Sequence, residues 1–363
     1  VSAVDSPWVV AVRAALPSPR PQGWQAFQQA VGLAESGVPS VTLVGDAAIA
    51  DGVPGSLEGW LGRPLPPTLT VLRPSRRHRP PIAGLLFRRT LAKLRDPATT
   101  LLCRDPRVAA AEGGRWRSIL LEWHVRPDRA DPVHAAALAA SDLHVTVAAG
   151  LAEDLRQAGV RPDQVLVIPN ACGLDPARAA SRAAGPSDVL RPVLAMGLHR
   201  RDGLELALEA WRRDPRLPPL WIAGRDQDGR RVRRWEADVS ADPALRGRVR
   251  LVGPHWGPDR EDLLDRAGVW LALYPSDDDT ETRLCPLQAA DAAGSGLPLV
   301  TTDLPSIRHL LGGRAARYVP ADDPEELASA VRSSLAEARP RFVPRATWAD
   351  RARSLRRTLD GTG

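Results

Sequence analysis

Long apolar runs are missing from this 363-residue chain: nowhere do 18 apolar residues follow one another, and no basic segment leads into a short apolar one. A transmembrane helix and a secretory leader are therefore not expected, and the chain reads as a soluble, cytoplasmic protein with at most peripheral membrane association. Cysteine is scarce. Cys103, Cys172 and Cys285 are odd in number, far apart and without metal-ligand spacing, which excludes a disulfide framework and leaves them as packing residues. Seven histidines are scattered with no pair at metal-binding distance in sequence, so neither a metal site nor a cofactor is expected. Lys93 is the only lysine, and the bias toward arginine reads as coding bias.

The net charge of +6 invites a nucleic-acid partner, but 43 acidic residues are interleaved with the 49 basic ones, which argues against it. With 44% hydrophobic and 25% charged residues the composition is globular. The length exceeds the roughly 250–300 residues of a single core, so two domains follow.

Strand-like and helix-like runs alternate along most of the chain, the pattern of parallel sheets with crossover helices. In the first half, strands are predicted at 8–12, 40–44, 68–72, 99–102, 118–121, 144–147 and 165–168, with helices at 24–35, 82–94, 132–140 and 152–158. Residues 179–190, rich in Ala, Ser, Gly and Pro, read as a linker. A second series has strands at 193–196, 220–223, 249–252, 269–274, 297–301 and 316–319. Its helices are predicted at 204–213, 231–239, 260–266, 287–293, 306–311 and 324–336. Residues 346–359 form a separate amphipathic helix with Trp348, Ala352, Leu355 and Leu359 on one face.

The most informative stretch is SDDDTETRLCPLQAADAAGSGLPLVTTDLP, Ser276 to Pro305. It reads as an acidic loop, a helix opening at Pro286 and a buried strand, with the free N–H groups near Cys285 and Leu287 placed to meet an anion. Asp291 lies about one and a half turns into that helix, where it can accept from a hydroxyl. Arg283 and Leu284 complete the turn, and Glu281 is the acid nearest to it. GLHRRDGLELALEAW places Arg200 and Arg201 in a loop between a strand and a helix, where their planar forks suit phosphate oxygens. In the first half, LLEWHVRPD sets His124 just beyond a strand, and Gly23 and Trp24 follow a Pro-rich loop where backbone N–H groups meet a ligand. Trp24, Trp123 and Trp256 are placed in loops where an indole stacks on a sugar or base.

Together these segments resemble the retaining nucleotide-sugar glycosyltransferases of family 4, over nearly the whole chain. VLVIPNACGLDP is similar to the segment closing that family's first domain, and GSGLPLVTTDLPSIRHLL to its "aaGkPVVatdlpsi" segment. The resemblance implies an α/β, GT-B architecture of two facing Rossmann-like domains. These are residues 1–180 with the returning helix 345–363 on the acceptor side, and residues 181–344 on the donor side. It implies a nucleotide-diphosphate sugar as donor, a small-molecule or glycan hydroxyl as acceptor, and metal-independent transfer with retention.

The implied catalytic set is His124, Glu281, Arg200 and Arg201. The implied donor-binding set is Gly23, Trp24, Arg283, Leu284, Cys285, Pro286, Leu287 and Asp291. Two departures stand out. The family carries a glutamate pair across the donor loop and helix; here Arg283 occupies the first position and Asp291 the second, so Glu281 must replace the first acid. The alternative is a noncatalytic sugar-nucleotide-binding or partner-regulating homologue.

Overall fold

A computed structural model of the chain describes residues 6–18, 20–47, 55–75, 82–185, 192–196, 203–224, 230–312, 316–337 and 345–361. The chain divides into two compact units, Val1–Ala171 with Ala346–Gly363, and Cys172–Arg345.

The first unit runs β1 (Trp8–Ala15), α1 (Pro21–Glu35), β2 (Val41–Ala47), α2 (Leu57–Leu61), β3 (Leu69–Leu72), α3 (Ile82–Lys93), β4 (Thr100–Cys103), α4 (Pro106–Glu112), β5 (Ser118–Trp123), α5 (Pro132–Ala140), β6 (Leu143–Thr146), α6 (Ala149–Gln157) and β7 (Val165–Val167). The seven strands form one parallel sheet in the order β3-β2-β1-β4-β5-β6-β7. β1 and β4 lie at its centre and are buried along almost their whole length, as strands covered on both faces must be. Val9, Ala11, Leu101, Ile119, Leu121 and Trp123 carry one face of the core.

The second unit runs α7 (Pro176–Ala184), β8 (Val193–Met196), α8 (Leu204–Arg213), β9 (Leu220–Ala223), α9 (Arg230–Ala241), β10 (Val249–Gly253), α10 (Gly257–Arg266), β11 (Val269–Ala272), α11 (Asp278–Arg283), α12 (Leu287–Ala293), β12 (Leu299–Thr302), α13 (Pro305–Leu311), β13 (Arg317–Val319) and α14 (Pro324–Ala336). Its six strands are also parallel, ordered β10-β9-β8-β11-β12-β13. The last helix, α15 (Trp348–Gly361), belongs to the first unit and packs on α1. Both units are Rossmann-like.

The helices α2 and α4 were not expected from the sequence, and three further differences bear on the second unit. Residues 176–184 form α7, not a linker, and the division falls at Ala171/Cys172 rather than at 180. Buried Arg182 anchors α7 by donating to Ser295 O at 2.7 Å and to Glu261 Oε2 at 2.8 Å. The acidic stretch after Ser276 is α11, a short helix rather than a loop, because Asp277 and Thr280 close a reciprocal capping box. Pro286 is not inside α12 but one residue before it, with extended ψ of 137°. Cys285, which precedes the proline, is biased to extended backbone for the same steric reason, so residues 284–286 bridge two helices.

Candidate functional site

In an open parallel sheet, loops leaving neighbouring strands toward opposite faces part at a topological switch point, and the crevice there takes ligands. In the second unit this point lies between β8 and β11. Arg200 and Arg201 follow β8 in sequence and lie outside the described residues. Gly203 is described: its N–H donates to Leu273 O at 2.8 Å, tying the start of α8 to the carboxyl end of β11. Among the described residues, no side chain caps α8 at Gly203 or α12 at Pro286. Their first-turn amides carry the partial positive charge of the helix ends.

The segment after β11 is braced from within. Thr280 is fully buried, and its hydroxyl donates to Pro275 O at 2.7 Å while its carbonyl accepts from Ser306 Oγ at 2.6 Å. Glu281 is exposed and accepts from Ser276 Oγ at 2.6 Å. Arg283 turns back along α11, donating to Asp278 O at 3.0 Å. Leu284, Pro286 and Leu287 are half-buried, and Cys285 is buried.

Asp291 is placed differently from a free hydroxyl reader. It is 5% exposed; Oδ1 accepts from the Gly173 N–H at 2.7 Å and Oδ2 pairs with Arg260 Nη1 at 3.0 Å. Burial raises its pKa against the opposing pull of Arg260 and the Gly173 amide. Cys172, beside it, is pushed up to about 12 by burial and then by the Asp291 charge. The carboxylate thus holds the Cys172–Gly173 entry of the unit onto α12.

In the first unit the switch point lies between β1 and β4. Gly23 and Trp24 are in the first turn of α1, which starts at Pro21, so both amides already donate to Arg20 O. A Cβ on Gly23 would come within 2.6 Å of Ser18 Cβ, so glycine here lets the loop after β1 close on the helix. Trp24 is buried against Trp60 and Phe27, with ring centroids 4.9 and 6.0 Å away. Trp123 is likewise core, its indole donating to His144 Nδ1 at 3.0 Å. These two indoles are packing residues, not stacking platforms in loops.

His124 sits at the carboxyl end of β5 with its side chain 19% exposed and Nε2 2.8 Å from Glu122 Oε1. Glu122 is buried and accepts also from Gln25 of α1 and, at 3.1 Å, from Arg351 of α15. Arg104, following β4, donates to Gln25 Oε1 at 3.1 Å. Burial opposes ionisation of Glu122, but Arg351, then the His124 hydrogen bond and Arg104, outweigh it and hold the acid below the usual carboxylate range. Burial, then Arg104, lowers the His124 pKa despite Glu122, so the imidazole is neutral at pH 7.

Sequence reasoning missed Glu122, Gln25, Arg104, Arg260 and Arg351. Two signals were present. Glu122 interrupts the apolar run SILLEW, and Arg351 lies on the Trp348, Ala352, Leu355 face of its helix. An ionisable residue in either place calls for a buried partner. Among the described residues, no group of three His, Cys, Asp or Glu is arranged to hold a metal ion. Nor, among them, is any helix long and apolar enough to cross a membrane.

Comparison with known proteins defines the class. Residues 191–337 match the Glycosyl transferases group 1 family. No curated protein matches the chain. Among solved structures, Anabaena HepE in complex with UDP-glucose is similar at 13% identity, covering 98% of each chain with a TM-score of 0.67. Sucrose-phosphate synthase from Thermosynechococcus elongatus is similar at 17% identity and TM-score 0.63, over 98% of this chain and 94% of that one. A UDP-GlcNAc 2-epimerase from Methanocaldococcus jannaschii is also similar, at 12% identity and TM-score 0.53, over 96% and 98%. The chain has the GT-B fold, and the match to the group 1 glycosyl transferase model falls within its second unit.

Proposed function

We propose that the protein is a retaining glycosyltransferase that moves a sugar from a nucleotide-diphosphate sugar to a hydroxyl of a natural product or cell-envelope glycan. The observation that carries this reading is the group 1 match, which falls on the second unit, where the start of α8 is tied to the carboxyl end of β11 beside the switch point. The bound UDP-glucose of HepE supports a nucleotide sugar as donor. Fold alone decides less, because it also occurs in an epimerase.

In this reading the bond from the anomeric carbon to the diphosphate breaks, and the acceptor oxygen bonds to the same face. The acceptor proton leaves with the departing phosphate. The chief demand is to stabilise negative charge growing on that phosphate. Arg200 and Arg201, with the amides of Cys285 and Leu287, are assigned to it, so no metal is called for. Glu281 orients sugar hydroxyls once it releases Ser276, and His124 contacts the sugar from the first unit. Asp291, already held by Gly173 and Arg260, positions α12.

The test is incubation with a panel of nucleotide sugars and hydroxyl acceptors, following release of nucleoside diphosphate and the anomeric configuration of the product. Transfer with retained configuration is expected; inverted product would contradict the mechanism.

One observation favours a second reading. Arg283 stands where the family has its first acid, and it folds back on Asp278. A noncatalytic sugar-nucleotide-binding protein would bind nucleoside diphosphates yet neither transfer nor hydrolyse any donor.

A further inference from the structure

Gln25 of α1, Arg104 after β4, Glu122 of β5, His124 after it and Arg351 of α15 form one connected polar cluster at the carboxyl edge of the first sheet, with Glu122 at its centre. Glu122 Oε1 faces His124 Nε2 at 2.8 Å and takes the Gln25 amide as well; its Oε2 faces Arg351 at 3.1 Å. Arg351 is 2% exposed, and its remaining donors go to Pro169 O at 3.0 Å, Ile168 O at 3.2 Å and the Gln29 side chain. Nothing else in its shell is acidic, so Glu122 and Arg351 neutralise each other. An ionised carboxylate has only lone pairs to offer. The imidazole nitrogen facing it must therefore carry the proton. Among the described residues, His124 Nδ1 has no partner, and a neutral ring protonated on Nε2 leaves Nδ1 with a lone pair.

We propose that Glu122, held by Arg351 of the C-terminal helix, is a positioning residue that fixes His124 as the Nε2–H tautomer, so that Nδ1 accepts a hydrogen bond from a donor-sugar hydroxyl. The inference rests on the glycosyl-transfer reading for its substrate, but the tautomer itself does not. It makes α15 part of the site: the helix supplies the cation without which a buried Glu122 would protonate. It also selects the ligand. A hydroxyl can donate to Nδ1, whereas a group that offers only an acceptor, such as a keto oxygen or a fluorine, cannot replace it.

The variant that separates tautomer from packing is Glu122→Gln, which has nearly the same shape. Arg351 has only donors, so the amide oxygen turns toward it and the NH2 toward His124. The ring must then take its proton on Nδ1. Nitrogen-15 NMR on histidine-labelled full-length protein, with His124→Gln to assign the signal, reads this directly. Wild type is expected to show a protonated Nε2 and a bare Nδ1, and Glu122→Gln the reverse. The transfer assay is expected to show a loss of about 10- to 100-fold in kcat/KM for Glu122→Gln, the usual scale for a residue that orients a ligating histidine. Glu122→Asp, which restores the charge, should recover the wild-type tautomer and part of the activity.

An unchanged tautomer in Glu122→Gln, or a wild-type Nδ1–H, overturns the proposal whatever the activity. A reversed tautomer with unaltered kcat/KM overturns its role in the reaction. Absence of transfer with every donor refutes the glycosyl-transfer reading instead, while the NMR result still decides the tautomer.

Discussion

His144 shows what burial does to a single ionisable side chain here. It is 1% exposed, and burial lowers its pKa from 6.5 to about 4. The folded state therefore prefers the neutral ring, and in the pH range between those values the unfolded chain binds the proton more readily. Its contribution to stability is complete above 6.5 and is lost as pH falls toward 4. At about 1.36 kcal/mol per tenfold change in proton affinity, the loss amounts to about 3 kcal/mol. Urea midpoints measured across this window should fall with acidification, and the His144 ring proton should titrate near 4 in NMR; titration near 6.5 would contradict the burial argument.

Asp291 belongs to the same scale. Removing one member of a buried ion pair typically costs about 3–5 kcal/mol, because the survivor stays buried and uncompensated. Asp291→Ala, which removes the carboxylate that Arg260 meets at 3.0 Å, is expected to lose stability of that order by urea denaturation. A variant of wild-type stability that loses only donor affinity would return Asp291 to the donor-binding set.

At the scale of elements, α15 is seated by the absence of a side chain. A Cβ on Gly32 of α1 would lie 2.3 Å from Trp348 O and 2.4 Å from its carbonyl carbon. The obstructing atoms are backbone, so the helix as a whole must move. Gly32→Ala is expected to cost about 1–3 kcal/mol, the usual range for overpacking. It should also displace Arg351 from Glu122, shifting the His124 NMR signals in the same direction as Glu122→Gln. Unaltered stability and an unaltered His124 signal would show that α15 does not depend on this contact.

Periodicity revealed most of the other elements. α5, α8, α12 and α14 fall where the sequence pattern places them. α4 and α7 were missed. Both open with Asp-Pro, the aspartate capping the second helical amide at 2.9 and 2.8 Å, as it also does at α5 and α14. The same dipeptide at Asp96, Asp214 and Asp242 makes the same carboxylate-to-amide bond with no helix after it. The pair marks a turn, and only the residues that follow decide whether a helix grows from it. For α7 those residues are ARAASRAA, small and polar like a linker, and tertiary contact through Arg182 made the difference.

Over the whole molecule, two parallel Rossmann-like units and the return of the last helix to the first unit were legible because β/α alternation and an amphipathic tail are local patterns. The site was legible only where chemistry is also local. His124 follows the last residue of β5, as its sequence neighbours indicate, whereas Glu281 lies in α11 and Pro286 just before α12. The partners that set the state of the site residues are not sequence neighbours: Glu122 meets Arg351 across 229 residues of sequence and Asp291 meets Gly173 across 118. No spacing rule predicts such pairs, since they follow from strand order and helix packing.

The central claim is that the second unit receives a nucleotide diphosphate on arginine forks and helix-start amides after β8 and β11. Calorimetric titration of the full-length protein with UDP, GDP and ADP tests it most directly, in wild type and in Arg200→Ala/Arg201→Ala. A charge pair at ~4 Å is worth about 4 kcal/mol at an effective dielectric of 20, before desolvation is subtracted. Saturable binding of at least one diphosphate, weakened about tenfold or more in the double variant, is expected. Equal affinity in both proteins, or no binding of any diphosphate, would contradict the account.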